Sequence, residues 1–160
     1  MLALDIDGVL TDGRVTLDES GHESKTLSYC DIDAVFTARR RGVRVVLVTG
    51  EDTPWVDMVA KRLEVDAVYR GVKDKRMALR RLGADFAVSP DTVCYIGDSQ
   101  RDAEAFAEVG LALAPADAAD AAQQGARHVL ARRGGAGAVR EAVELILGVP
   151  SPADGGRPDR

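Results

Sequence analysis

Two aspartates, Asp5 and Asp7, sit at i and i+2 where a short apolar stretch gives way to the run Gly8-Val9-Leu10-Thr11-Asp12-Gly13. In an extended strand, residues two apart point to the same face, so the pair is expected side by side at the strand's C-terminal edge. Open α/β sheets bind their ligands at that edge. Carboxylates that close repel, and one takes up a proton unless a cation is shared between them. The pair therefore calls for a hard metal ion and, with it, phosphate chemistry.

Three further positions can join them. Thr49-Gly50-Glu51 follows the apolar run VRVVLV, Lys75 lies in GVKDK, and Gly97-Asp98-Ser99-Gln100-Arg101-Asp102 follows TVCYI. If the apolar runs are parallel neighbours, all four positions converge on one crevice. A carboxylate pair, a hydroxyl, an ammonium and a further carboxylate pair are the groups that phosphoryl transfer uses. Metal and lysine neutralise the phosphate oxygens, the hydroxyl and backbone N–H groups hold them, and one carboxylate can attack phosphorus. Each position has a plainer explanation in isolation. Gly-Asp-Ser is a common helix start with Asp98 as its cap, and Thr49-Gly50 suits a simple strand-to-helix turn. Lys75 stands among Lys73, Asp74 and Arg76, as a solvated helix start would have it, and DxDG alone also suits a calcium-binding loop.

The elements that must carry these groups are legible as an alternation. Apolar runs at Leu2 to Ile6, Val43 to Val48, Ala67 to Tyr69, Thr92 to Ile96 and Leu111 to Ala114 read as strands. Helical segments are expected near Ala34 to Arg41, Pro54 to Leu63, Lys73 to Leu82, Asp102 to Val109, Ala118 to Gln124 and Ala138 to Leu147. Gly42, Gly83, Gly110 and Gly148 follow four of them as C-terminal caps. The fold class is therefore α/β, a three-layer Rossmann-like parallel sheet flanked by helices. Gly13 to Tyr29 breaks the alternation: RVTLD and SKTLSY flank the turn Glu19-Ser20-Gly21-His22 and read as a projecting β-hairpin. One domain is expected over 1–148, with 149–160 a flexible tail rich in Pro and Gly.

Composition excludes several classes. A chain of 160 residues with 46% hydrophobic content suits one globular domain. The net charge is −5 and no basic tract is long enough to form a groove, so no nucleic acid partner is expected. No stretch approaches the roughly 18 to 20 apolar residues of a membrane span, and no signal peptide is evident. Cys30 and Cys94 lack metal-ligand spacing and read as reduced thiols, so the expected location is cytoplasmic. His22 and His128 are expected on the surface, with a substrate role for His22 as the alternative. Trp55 is either core or part of a substrate wall.

Taken together, DxDGVLTDG, the TG of Thr49-Gly50, Lys75 and GDSxxD resemble, in order and spacing, the four motifs of the haloacid dehalogenase superfamily of phosphatases. The resemblance implies that Asp5 is the nucleophile that forms an aspartyl-phosphate. Asp7 would be the general acid and then the general base. Mg2+ would be held by the Asp5 carboxylate, the Asp7 carbonyl and Asp98. Thr49 and Lys75 would bind the transferring group, and Asp102 would orient Lys75 or the metal's waters. A receiver-type signalling module also uses Asp, Thr and Lys around magnesium, but there the lysine comes last, whereas Lys75 precedes Asp98.

Members of the superfamily usually carry a cap domain, and neither insertion point here has room for one. Among cap-less members the chain looks most like the phosphatases of 3-deoxy-D-manno-octulosonate 8-phosphate and of nonulosonate 9-phosphates. DIDGVLTDG, the hairpin ending near Lys25, YRGVKDK and the segment Arg133 to Glu141 carry that resemblance. It implies a phosphorylated sugar acid as substrate and a homotetramer in which neighbours cover each site. Gly50, Glu51 and Arg133 would be substrate-binding, with Gly134 to Gly137 letting the C-terminal segment approach a neighbouring site. The octulosonate enzymes usually have Arg where this chain has Glu51, which resembles the nonulosonate branch. A phosphatase for another small metabolite is one alternative. Another is a catalytically idle accessory subunit, as in the phosphatase-like domains attached to sialic acid cytidylyltransferases.

Overall fold

The computed structural model describes residues 1–149, so the segment expected as a tail lies, apart from Val149, outside the described residues. In chain order the strands are β1 (Leu2–Leu4), β2 (Thr16–Leu17), β3 (Glu23–Ser24), β4 (Val45–Val48), β5 (Ala67–Tyr69), β6 (Cys94–Ile96), β7 (Leu111–Ala114) and β8 (His128–Val129). The helices are α1 (Tyr29–Arg40), α2 (Pro54–Leu63), α3 (Lys75–Asp85), α4 (Gln100–Ala105), α5 (Asp120–Gly125) and α6 (Ala138–Leu147). Six strands form a parallel sheet in the order β5-β4-β1-β6-β7-β8.

Every residue of β1, β4 and β6 is buried because helices cover both faces, and alternate side chains feed two separate cores. Leu2, Leu4, Leu47 and Ile96 pack against α1, α2 and α6. Ala3, Val46, Val48 and Tyr95 pack against α3, α4 and α5. β1 lies between β4 and β6, so the chain leaves it to one side first and returns to the other later. That reversal opens a crevice at the C-terminal end of β1.

The departures from the expected boundaries have identifiable causes. α1 begins at Tyr29 rather than near Ala34 because Asp31, which breaks the apolar pattern, is buried inside it. Its carboxylate accepts from the Gly137 and Arg140 amides at 3.0 and 2.9 Å, tying α1 to the first turn of α6. Burial pushes that carboxyl up from its usual range, and the amide hydrogen bonds oppose the shift. α3 starts at Lys75, capped by Asp74, which accepts from the Arg76 and Met77 amides, and runs on through Gly83. Gly83 is therefore not a helix cap. Gly110 is not one either: a Cβ there would overlap the Asp91 backbone. α4 gives way to a 3₁₀ turn at Phe106–Glu108, and α5 begins at Asp120. β8 has no counterpart among the expected strands; two exposed residues carry no apolar signature.

β2 and β3 pair antiparallel, Thr16 opposite Ser24 and Leu17 opposite Glu23. Asp18 shapes their connection by accepting from the Ser20 and His22 amides at 2.8 and 2.9 Å. His22 and His128 are exposed, while Trp55 is half-buried and packs against the core under α2. Cys30 and Cys94 are unpaired among the described residues, where no helix is long and apolar enough to cross a membrane.

Candidate active site

β1 stops at Leu4, and Asp5 is the first residue beyond it, its amide donating to Ile96 O at 3.0 Å. The chain then coils, with the amides of Val9, Leu10 and Thr11 all directed at Ile6 O. Strand alternation ends there, so Asp5 and Asp7 are not the side-by-side pair that i, i+2 spacing predicts. Asp5 Oδ2 meets Lys75 Nζ at 2.5 Å, and Asp7 Oδ1 meets Lys25 Nζ at 2.9 Å and Thr11 Oγ1 at 3.3 Å.

The carboxylates that do crowd are Asp5, Asp98 and Asp102, each offering an oxygen within 4.8 Å of the others. Asp98 arrives from β6 and packs so tightly on the turn after β1 that a Cβ at Gly8 would overlap its carboxylate. Asp102 is fully buried and has no free oxygen. Oδ1 accepts from Lys75 at 2.7 Å and from the Tyr95 hydroxyl; Oδ2 accepts from the Asp98 amide and from both the amide and hydroxyl of Ser99. It is a hub that fixes Lys75 and the 98–99 turn. Burial opposes its charge, but Lys75 and these hydrogen bonds prevail and hold its carboxyl below the usual range.

Burial acts the other way on its neighbours. It pushes the Asp98 carboxyl up to about 6, with Asp102 adding repulsion, and it raises Asp5 even against the attraction of Lys75. Lys75 is buried too, yet the two carboxylates keep its pKa above the ordinary value. Three carboxylates thus crowd beside one ammonium that pairs with two of them, and Asp5 and Asp98 line the crevice. That donor set, hard and in excess of negative charge, fits Mg2+.

A consequence follows for stability. A carboxyl raised in the folded protein binds its proton more tightly there than in the unfolded chain. The metal-free fold therefore loses stability as pH rises from the ordinary carboxylate range through about 6. Mg2+ displaces those protons and offsets the loss. Saturating Mg2+ is expected to raise Tm by several degrees more at pH 8 than at pH 5 in scanning fluorimetry. An equal rise at both would exclude Asp98 and Asp5 as ligands.

Thr49, at the end of β4, is almost fully buried, and its backbone is bonded to Tyr69 O and the Val72 amide. Its Oγ1 accepts from the Glu51 amide at 3.1 Å, which leaves the O–H to donate outward. Glu51 Oε1 receives Lys25 Nζ at 2.5 Å, while Oε2 is buried with no partner. Asp5, Asp7, Thr49, Glu51, Lys75 and Asp98, with Gly50, line one cavity of about 350 Å³.

Arg133 is the exception among the expected residues. It is exposed, pairs with Asp117 at 3.1 Å, and does not line this cavity. Gly134 and Gly135, which follow it, lie against the chain's own turn. Gly135 N–H donates to Val9 O at 2.9 Å, and a Cβ at Gly134 would overlap the Gly8 carbonyl. Four site groups went unassigned in the sequence. Lys25 and Thr11 hold Asp7, while Ser99 and Arg101 line the cavity. Thr11 lies inside the first motif and Lys25 ends the hairpin, which were the only signals available.

The family model described as haloacid dehalogenase-like hydrolase matches residues 19–110. The chain belongs to the haloacid dehalogenase-like hydrolases. The curated 3-deoxy-D-manno-octulosonate 8-phosphate phosphatase of Yersinia pestis is 34% identical over 147 residues, covering 92% of this chain and 79% of that one. Among solved structures, the same-named enzyme of Moraxella catarrhalis, in complex with magnesium, phosphate and KDO, superposes with a TM-score of 0.88 at 30% identity, over 92% of this chain and 85% of that one. The cobalt-bound deoxy-D-mannose-octulosonate 8-phosphate phosphatase of Haemophilus influenzae gives 0.87 at 31%, over 92% and 86%. This haloacid dehalogenase-like hydrolase is a phosphatase.

Proposed function

We propose that the chain is a Mg2+-dependent phosphomonoesterase for a phosphorylated sugar acid of the octulosonate 8-phosphate or nonulosonate 9-phosphate type. The observation that carries the reading is the convergence of Asp5, Asp7, Thr49, Lys75 and Asp98 on one cavity at the ends of β1, β4 and β6. The relatives named above act on, or hold, the eight-carbon acid.

Asp5 is the nucleophile. Lys75 and the Ile6 amide, at 2.5 and 2.8 Å, hold its carboxylate, and a carboxylate oxygen forms a bond to phosphorus as the ester P–O bond breaks. Asp7 gives its proton to the departing alkoxide, then takes one from the water that cleaves the aspartyl-phosphate and releases inorganic phosphate. Thr49 O–H and Lys75 bind the transferring phosphoryl oxygens. The Asp5 and Asp98 carboxylates and the Asp7 carbonyl would hold Mg2+, which would supply positive charge to the phosphoryl oxygens. Asp102 keeps Lys75 in place.

The cavity is open, and an open site discriminates poorly, so selectivity falls to Glu51 and to neighbouring copies in a homotetramer. Val15 and Leu17 on the β2 arm are 47% and 63% exposed, which suits an arm buried by assembly. Glu51 favours polyol hydroxyls, since its carboxylate lines the cavity and hydroxyls can donate to it. Arg133 would serve only a neighbour's site.

A phosphate-release screen with Mg2+ over eight- and nine-carbon sugar-acid phosphates tests this. The expected result is a kcat/KM for one of them at least ~100-fold above that for p-nitrophenyl phosphate, on material that light scattering shows to be a tetramer. No release from any ester would leave the idle accessory subunit as the reading. Selectivity in a monomer would remove the neighbour as cap.

A further inference from the structure

Lys25 follows directly after β3, yet its side chain reaches back to two carboxylates that line the cavity and is only 5% exposed. Its ammonium lies between two carboxylates from different elements, 2.9 Å from Asp7 Oδ1 and 2.5 Å from Glu51 Oε1. Burial disfavours that charge, but the hydrogen bonds it donates to Glu51 and Asp7 outweigh the penalty and raise its pKa. A buried ammonium that satisfies two acids at once is an expensive arrangement if its only task is to tether a surface arm.

The second contact on Asp7 gives the arrangement a direction. Thr11, with no exposed surface, accepts from the Gly8 and Gly13 amides, so its hydroxyl proton is left for Asp7 Oδ1. Lys25 and Thr11 thus both hold Oδ1, and no described hydrogen bond uses Oδ2. One oxygen of a residue that lines the cavity is pinned and the other is left without a described partner. Lys25 simultaneously places Glu51 beside Asp7, on the side where a leaving group must depart if Asp7 is to protonate it.

We propose that Lys25 is a positioning residue for Asp7: it fixes one carboxylate oxygen so that the other faces the ester oxygen, and it thereby makes proton delivery depend on the β2–β3 arm. The proposal rests on the phosphatase reading above, and in particular on Asp7 as proton donor. It adds a function for the arm inside its own chain. Disturbing the arm should impair departure of basic leaving groups while phosphoryl binding at Thr49 and Lys75 persists.

Two esters of similar size separate this role from a structural one. The p-nitrophenolate of p-nitrophenyl phosphate leaves without a proton, whereas the alkoxide of p-nitrobenzyl phosphate needs one. The quantity compared is kcat/KM, because it covers the steps through leaving-group departure and not the later attack of water. In the Mg2+-loaded protein, Lys25→Met is expected to lower kcat/KM by ~30- to 100-fold for the benzyl ester and by no more than ~3-fold for the phenyl ester. Lys25→Arg, which keeps the charge, recovers most of the benzyl-ester activity. If Lys25→Met is insoluble, Lys25→Gln replaces it with the same expectation. Equal losses on the two esters, or no loss on either, overturn the positioning role while the phosphatase reading stands. A wild-type protein that hydrolyses neither ester overturns that reading and the role of Lys25 with it.

Discussion

Asp5→Asn removes at least ~10⁴-fold of the turnover and leaves the fold intact. The amide has the size and shape of the carboxylate but neither its charge nor its nucleophilic oxygen, so no aspartyl-phosphate forms. The fold survives because the crowding around Asp5 is repulsive. Asn takes one charge out of a cluster of three acids in which the lysine pairs with two, and Lys75 retains Asp102 at 2.7 Å. Phosphate release and a thermal melt, read on the same preparation, check both halves. Turnover at the wild-type rate would end the assignment of Asp5 as nucleophile, and a collapsed melt would show that its charge is structural.

The opposite balance is expected at Lys75. Lys75→Met keeps the length of the side chain, but it leaves Asp5 and Asp102 facing each other in a buried setting with no cation between them. Removing one partner of a buried ion pair costs about 3–5 kcal/mol. For a domain of this size that is a fall in Tm on the order of 10 °C. The deficit should shrink as pH falls, because protons then neutralise the carboxylates that the lysine no longer serves. Activity drops by ~10³-fold or more, since the transferring phosphoryl group loses its charge partner as well. A melt unchanged from wild type at pH 8 would mean that the buried cluster does not hold its charge as described.

The chemistry was the most legible part of this sequence. Apolar runs that end in Asp5, Thr49 and Asp98 announce parallel strands, and parallel strands bring their C-terminal ends to one edge. What the residues could not announce were contacts made by side chains that leave no periodic trace. Asp31 interrupts an apolar pattern and so concealed the first turns of α1, although it is buried and bonded to α6. Lys25 reads as one more charge at the end of a polar arm, and only the path of that arm makes it a partner of Asp7. The i, i+2 rule placed Asp7 beside Asp5 because the strand was extrapolated past Leu4. The three amides directed at Ile6 O, which end that extrapolation, depend on a local coil that alternation cannot foresee. Arg133 was assigned by likeness alone, and in the described chain its partner is Asp117.

Gly134 and Gly135 seal the turn that carries Asp7, yet they stand far downstream, just before α6. The turn and the segment that braces it are thus separated by five of the six strands of the parallel sheet's chain path, β4 to β8. A turn near the start of the sheet therefore takes its final support from a segment that follows all of its strands. A substitution at Gly134 would in consequence be felt at the turn beside Asp7, although the two are distant in the sequence.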